Sequence, residues 1–321
     1  MHLVLGALPD IATPGLWHGA SSIKVTPMDH MICLIAQPER EILDQELVLR
    51  IARAVTATPR WLADDEACEM AVGGLDPTAS LALARSEIGD RAIDACAVPA
   101  GERTMRLLLC DLDSTIITIE TIDELADLVG VKAEVAAITR RAMRGELAFA
   151  PALEARVALL AGLPETVFEE IHRERARLMP GARTLVRTMR SQGAITGLVS
   201  GGFMPLAERI GRDVGFDVVE ANRLEVTDGR LTGRVIAPIV GPEAKLAMLE
   251  GLRTQHRIPA ARTLAVGDGA NDLPMLFAAG LGVAYHAHAP VARQAPVAIE
   301  HGDLRALLFL QGIAQRDFVL T

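Results

Sequence analysis

Apolar positions fall into two patterns along this chain: short unbroken runs, and longer stretches with helical spacing. The run Leu107-Leu108-Leu109-Cys110 leads straight into two aspartates. "AITGLVSGG" (194–202) is a second run and ends in a Gly-rich turn. "RTLAVG" (262–267) is a third, and "GLGVAYH" (280–286) and "APVAIE" (295–300) read as two further short strands. Between them lie amphipathic stretches, "GARTLVRTMRSQG" (181–193) and about Pro242 to His256. Short strands without polar alternation, separated by helices, predict a parallel sheet covered on both faces. "RLEVTDGRLTGRVI" (223–236) predicts a β-hairpin turning at Asp228-Gly229. The stretch Ile122 to Leu178 has helical spacing and is punctuated at Gly130, Gly145, Pro151, Gly162 and Pro164, so several helices are expected there.

The first 95 residues are harder to read. "HMICLIAQ" (30–37) suits a strand, and "REILDQELVLRIARAV" (40–55) and "PTASLALARSEIG" (77–89) suit helices, but no βαββαβ rhythm is visible. "AVPAGERTM" (97–105) reads as a linker. The expectation is a small α+β domain over residues 1–100, then an α/β domain over 101–321 with a doubly wound parallel sheet. A helical insertion at about 116–180 interrupts the second domain.

Composition narrows the function. A length of 321 residues exceeds one usual core, half the residues are hydrophobic and only 3% are aromatic, so the core must be aliphatic. The balance of 32 basic against 41 acidic residues gives a formal charge of -9, which argues against nucleic-acid binding. The four cysteines (Cys33, Cys68, Cys96, Cys110) form no C-x-x-C pair and read as buried reduced thiols. The amino terminus lacks a basic n-region, and no run reaches the roughly 18 apolar residues of a membrane helix. A cytoplasmic protein without a membrane partner is expected.

In an open parallel sheet, ligands sit at the carboxyl ends of the strands. That rule selects three loops, at Asp111, Ser200 and Asp268. Each motif alone has an ordinary reading: D-x-D as a turn or cap, "VSGG" as a turn, "GDGAND" as a calcium-type loop or cap, Lys245 as a solvated helix residue. Their order and placement make them specific together, and the chemistry that fits is phosphoryl transfer. The charge of a phosphate monoester repels an attacking carboxylate unless it is neutralised. Asp111 and Asp268 can supply hard oxygen ligands to Mg²⁺, and Asp272 can support them. Lys245 adds a compact cation, and Ser200 with the N–H groups of Gly201 and Gly202 can donate to phosphoryl oxygens. One carboxylate then attacks phosphorus, and a second, two residues on, can move the protons.

"DLDST" (111–115), "VSGG" (199–202), Lys245 and "GDGANDLPM" (267–275), in that order, resemble the four motifs of the haloacid dehalogenase superfamily over about residues 105 to 300. The resemblance implies a Rossmann-like core, Asp111 as nucleophile and Asp113 as general acid/base. It implies Mg²⁺ held by Asp111, the main-chain carbonyl of Asp113 and Asp268, with Asn271 and Asp272 behind them and Asn271 also near the substrate. Within the insertion, "ETIDE" (120–124) fits a capping box with Thr121 and Glu124. "ETIDE" and "RAMRGELAFAPALEARVALLAG" (141–162) are similar to the phosphoserine phosphatases. That similarity implies Glu120 for the substrate amine, Arg156 for its carboxylate, and Met143 and Phe149 closing over it. Taken alone, Glu120 reads equally as a solvated turn residue and Arg156 as a surface arginine. The family often carries an amino-terminal domain, sometimes of the ligand-binding ACT type. The expected partner is a small molecule, O-phosphoserine, and a homodimer is compatible with the reading. The rival readings are a related phosphatase, a phosphotransferase passing the group to an alcohol such as homoserine, and an Asp-phosphorylated receiver module.

Overall fold

The computed structural model describes residues 29–37, 42–144 and 146–320. The amino-terminal stretch weighed as a signal segment, part of the 40–55 stretch, and Gly145 lie outside them.

The first described region runs β1 (His30–Ala36), α1 (Gln45–Ala54), β2 (Pro59–Ala63), β3 (Ala67–Val72), α2 (Pro77–Ile88) and β4 (Ile93–Pro99). This is a βαββαβ order with sheet order β2-β3-β1-β4, the ferredoxin-like arrangement. The sequence reading missed that rhythm, and the first three residues of its linker are strand. Both helices start on aspartates that cap them: Asp44 accepts from Leu47 N–H at 2.7 Å and Asp76 from Thr78 N–H at 2.8 Å. Along β1, Ile32 and Leu34 pack under α1, while Cys33 and Ile35 join the core of the larger sheet. Polar ties join the two parts as well. The buried Asp94 carboxylate accepts from Glu300 N–H and Gly302 N–H, each at 2.8 Å, and Arg103 bonds Glu69 at 2.6 Å and the Leu310 carbonyl at 3.1 Å.

The larger sheet contains β5 (Leu107–Cys110), β6 (Ile195–Phe203), β7 (Val218–Thr227), β8 (Arg230–Ile236), β9 (Thr263–Gly267), β10 (Leu281–Tyr285) and β11 (Val297–Ile299). Its order is β11-β10-β9-β5-β6-β7-β8, parallel throughout except for the β7–β8 hairpin. Asp228 and Gly229 both take positive φ in that hairpin's two-residue turn, as expected. Among the described residues the stretch between β5 and β6 opens with four helices of the insertion, α3 (Thr121–Leu128), α4 (Lys132–Met143), α5 (Phe149–Ala158) and α6 (Val167–Glu174), and α7 (Ala182–Ser191) then leads into β6. Then come α8 (Met204–Val214), α9 (Pro242–Gln255) and α10 (Leu273–Ala278). Leu107 and Leu109 of β5 meet Leu249, Leu252 and Leu276 on one face, and Leu108 and Cys110 join the core containing Leu185 and Met189 on the other. Both faces of β5 are covered, which is why its run is apolar without alternation. Because β9, β5 and β6 are parallel neighbours, their carboxyl ends open onto one edge.

Among the described residues no helix is long and apolar enough to cross a membrane. All four cysteines are buried and unpaired.

Candidate active site

Asp111 follows β5 directly and Asp268 follows β9, so the central strand pair delivers two carboxylates to one place. With Asp272, at the start of α10, they form a group whose oxygens lie within 4.8 Å of one another. Lys245, fully buried in the first turns of α9, reaches into this group. Its Nζ lies 2.7 Å from Asp111 Oδ1 and 2.6 Å from Asp272 Oδ1. Asp272 is spent by these contacts, since its Oδ2 accepts from Gly269 N–H at 3.0 Å. Asp111 Oδ1 also accepts from Leu112 N–H at 2.8 Å, which leaves its Oδ2 as the oxygen without a bond among the described residues. Gly267 has no room for a Cβ, because the Asp272 carboxylate occupies that space.

Burial, with the negative charges of Asp272 and Asp268, pushes the Asp111 carboxyl well up, against the pull of Lys245. Burial alone would lower the Lys245 ammonium, but its two carboxylates outweigh burial and hold it above its ordinary value. The distances are those of an ionised cluster. Asp268 is raised to about 7, first by burial and then by Asp272 and Glu120. Its Oδ1 accepts from Thr115 Oγ1 at 3.1 Å. Three carboxylates therefore share one ammonium, and the uncompensated negative charge with hard oxygen donors fits a divalent cation such as Mg²⁺.

Asp113 sits on the other side of the loop. Its Oδ1 accepts from Thr121 Oγ1, and its Oδ2 lies 2.7 Å from where a Cβ on Gly202 would stand. Burial and the charge of Glu120 raise Asp113 to about 7, against the hydrogen bonds from Thr121. The capping-box expectation fails here. Glu120 is the N-cap of α3 and makes no side-chain capping bond; the Thr121 hydroxyl serves Asp113, and Glu124 pairs with Arg175 at 2.6 Å. Ser200, buried near the end of β6, accepts from Gly202 N–H at 2.8 Å. The Asn271 side chain has no hydrogen-bond partner among the described residues and reaches back over Gly269.

The helical insertion brings the remaining candidates. Phe149, the first residue of α5, lies over the turn: a Cβ on Gly201 would stand 3.0 Å from its ring and one on Gly241 2.9 Å from it. Glu120 is held by Ser114 Oγ at 2.7 Å. Burial by its neighbours raises its carboxyl, with Asp123 adding to the rise and Arg156 opposing it. Arg156 donates from Nε to the Ala152 carbonyl at 3.1 Å and from Nη1 to Thr139 Oγ1 at 3.4 Å. Among the described residues it makes no salt bridge, although Asp123 and Glu120 are near enough to counter the lowering that burial causes. Met143 ends α4; its side chain lies outside what is described. A cavity of about 560 Å³ lies elsewhere, lined by Phe168, Met204, Leu231 and Ile236, and touches none of these groups.

The sequence reading overlooked two hydroxyls. Thr115 and Thr121 bond Asp268 and Asp113, and the signal was available for the first, since Thr115 lies only two residues beyond Asp113 in the same loop.

Residues 108–276 match the model of the haloacid dehalogenase-like hydrolases. Over 198 residues the chain is 47% identical to a phosphoserine phosphatase of Streptococcus thermophilus, covering 62% of this chain and 92% of that one. The chain belongs to the haloacid dehalogenase-like hydrolases and, among them, to the phosphoserine phosphatase family. It is also 47% identical over 215 residues to a phosphoserine phosphatase of Mycobacterium tuberculosis, 67% of this chain but only 52% of that relative, so it spans about half of that protein's length. The solved structure of a probable phosphoserine phosphatase from Vibrio cholerae superposes with a TM-score of 0.71 at 29% identity, covering 90% of this chain and 88% of that one. That likeness therefore takes in both sheets.

Proposed function

We propose that this chain hydrolyses O-phospho-L-serine to serine and phosphate through a phosphoaspartate formed on Asp111. The observation that carries the reading is the placement of Glu120, within electrostatic reach of both Asp113 and Arg156. A carboxyl group thus lies between a cationic fork and the acid that would serve the leaving oxygen. Phosphoserine carries an amine for that carboxyl group and a carboxylate for the fork, which Arg takes bidentately.

The steps follow from the side chains. Asp111 Oδ2 attacks phosphorus, and the serine oxygen leaves with the proton of Asp113. The resulting Asp113 carboxylate takes a proton from water, which attacks the phosphoaspartate and releases phosphate, restoring Asp111. A carboxyl raised to about 7 suits both halves of this exchange. Ser200 Oγ, Gly202 N–H and Lys245 face the phosphoryl oxygens, while Phe149, lying over the Gly201 turn, closes the substrate away from water. Asp111, Asp268 and the Asp113 carbonyl would hold Mg²⁺, which supplies charge neutralisation when bound. A cytoplasmic location accords with four unpaired, buried cysteines.

The first test is phosphate release from phosphoserine with Mg²⁺ and with excess chelator; full activity in chelator would overturn the reading. A pH dependence accompanies it. Asp113 and Asp268 stand at about 7 in the folded protein against 3.8 ordinarily. The folded state then holds protons that the unfolded chain has released, so metal-free stability falls as pH rises from about 4 to about 7 and stays low above that. Mg²⁺ held by Asp268 would displace the proton of that carboxyl, while Asp113, a ligand only through its main-chain carbonyl, keeps its own. The effect of Mg²⁺ on the melting temperature should be larger at pH 8 than at pH 5, and equal shifts would refute this linkage.

Substrate choice is tested by Arg156→Ala. A charge-assisted hydrogen bond is worth about 1.5–3 kcal/mol, so kcat/KM for phosphoserine should fall about tenfold to a hundredfold. An aryl phosphate without a carboxylate should be barely affected, and phosphoethanolamine should lose its handicap relative to phosphoserine. An equal fall on all three esters would make Arg156 a general structural residue.

A further inference from the structure

The ladder between β6 and β7 breaks at the candidate site. Ser200 pairs with Ala221 and the next pair is Phe203 with Asn222, so Gly201 and Gly202 bulge out of the sheet. Their peptide groups lose the partners a strand would give them; Ser200 Oγ takes the Gly202 N–H, and one side chain from β7 takes the Gly201 carbonyl. Asn222, fully buried, donates from Nδ2 to the Gly201 carbonyl at 2.9 Å and to the Val240 carbonyl at 3.2 Å. Its Oδ1 accepts from Val240 N–H at 2.7 Å.

These bonds have a directional consequence. In a trans peptide the C=O and the following N–H point opposite ways. Holding the Gly201 carbonyl toward Asn222 turns the Gly202 N–H the other way, to Ser200 Oγ and the side on which Asp113 lies. The bonds to Val240 tie the same point to the residue before Gly241, which is the N-cap of α9 and whose carbonyl accepts from Lys245 N–H at 3.0 Å.

We propose that Asn222 is a positioning residue for the phosphoryl group, aiming the Gly202 N–H and holding the bulge and the start of the Lys245 helix in one register. The proposal rests on the phosphoryl-transfer reading of the site. An asparagine suits this position because it offers two donors and an acceptor; an aspartate would set a carboxylate against two carbonyls.

The test compares Asn222→Asp and Asn222→Ala with the unaltered protein in Mg²⁺, using inhibition of aryl phosphate hydrolysis by inorganic phosphate and, separately, by serine. Misplacing a group by about 1 Å can cost on the order of 100-fold. The inhibition constant for phosphate should rise about tenfold to a hundredfold, while that for serine, set in the helical insertion, stays unchanged. Unchanged constants for both, with only a lower melting temperature, would make Asn222 a structural filler and overturn the proposal. If neither variant folds, nitrogen-15 spectra of the unaltered protein decide. The Gly202 amide should shift on adding phosphate while the Asn222 side-chain protons remain protected from exchange; no shift, or rapid exchange, overturns the proposal. A protein that binds phosphate but leaves phosphoserine intact would fail the substrate assignment alone, and the Asn222 comparison would still be read on phosphate.

Discussion

Asp111→Asn is expected to leave a folded protein that turns over no phosphate ester. The carboxylate lies at the end of β5 with Oδ1 engaged by Lys245 and Leu112 N–H and Oδ2 without a bond among the described residues. An amide keeps the volume and an acceptor oxygen at Oδ1 but is no nucleophile. Removing a covalent nucleophile from an otherwise intact site costs at least about 10⁴-fold in kcat. The fold should survive, because removing one negative charge from a group of two buried carboxylates and one half-buried one relieves repulsion as well as weakening the Lys245 pair. Beryllofluoride trapping followed by mass spectrometry should label Asp111 in the unaltered protein and nothing in the variant. A label on Asp113 or Asp268 would overturn the assignment. Asp113→Asn makes the comparison informative: losing acid/base help costs about 10²–10⁴-fold, yet Asp111 Oδ2 remains able to attack, so the adduct should still form.

The carboxyl-end loops were legible because one physical rule joins them. An unbroken apolar run followed by a carboxylate is costly unless the strand is covered on both faces and the carboxylate has a cation. Leu107–Cys110 before Asp111 and Thr263–Gly267 before Asp268 both obey this, and the parallel order does the rest. Of the first sheet's strands only β1 was legible, as the apolar run at 30–37 that is buried on both faces. β3 carries Glu69, which looks like a loop residue but is held inside by Arg60 and Arg103. Spacing misled at Thr121, where S/T-x-x-E matched a capping box although the hydroxyl was needed by Asp113. Local patterns cannot distinguish a cap from a bond made across eight residues. Asn222 was invisible because a polar residue inside a hairpin strand looks solvated; only the bulge at Gly201-Gly202, on a different strand, gives it something to bond.

Lys245→Met should produce the largest change in stability. Lys245 and Asp272 are both fully buried, and the ammonium is the counter-charge for Asp272 and Asp111 together. Removing one partner of a buried pair costs about 3–5 kcal/mol, because the charge left behind has lost its solvent and gained nothing. Methionine fills much of the space, so the loss measures charge more than volume. The pH dependence follows in sign. Without the ammonium the Asp111 carboxyl rises further and takes up a proton in the folded state, while the unfolded chain ionises at about 4. Denaturant unfolding without metal should therefore show a large loss at pH 8 and a smaller one at pH 5. Equal losses at both would mean that the side chain acts by packing and not as a counter-charge. Activity should fall too, by on the order of 10²–10³-fold, since a fixed cation facing the phosphoryl oxygens is gone. Adding Asp272→Asn to Lys245→Met separates the two effects. The double variant removes the stranded charge and should regain stability relative to Lys245→Met alone, a non-additivity expected of residues in one ion-pair network. It should regain no activity, because the cation facing the phosphate is still missing.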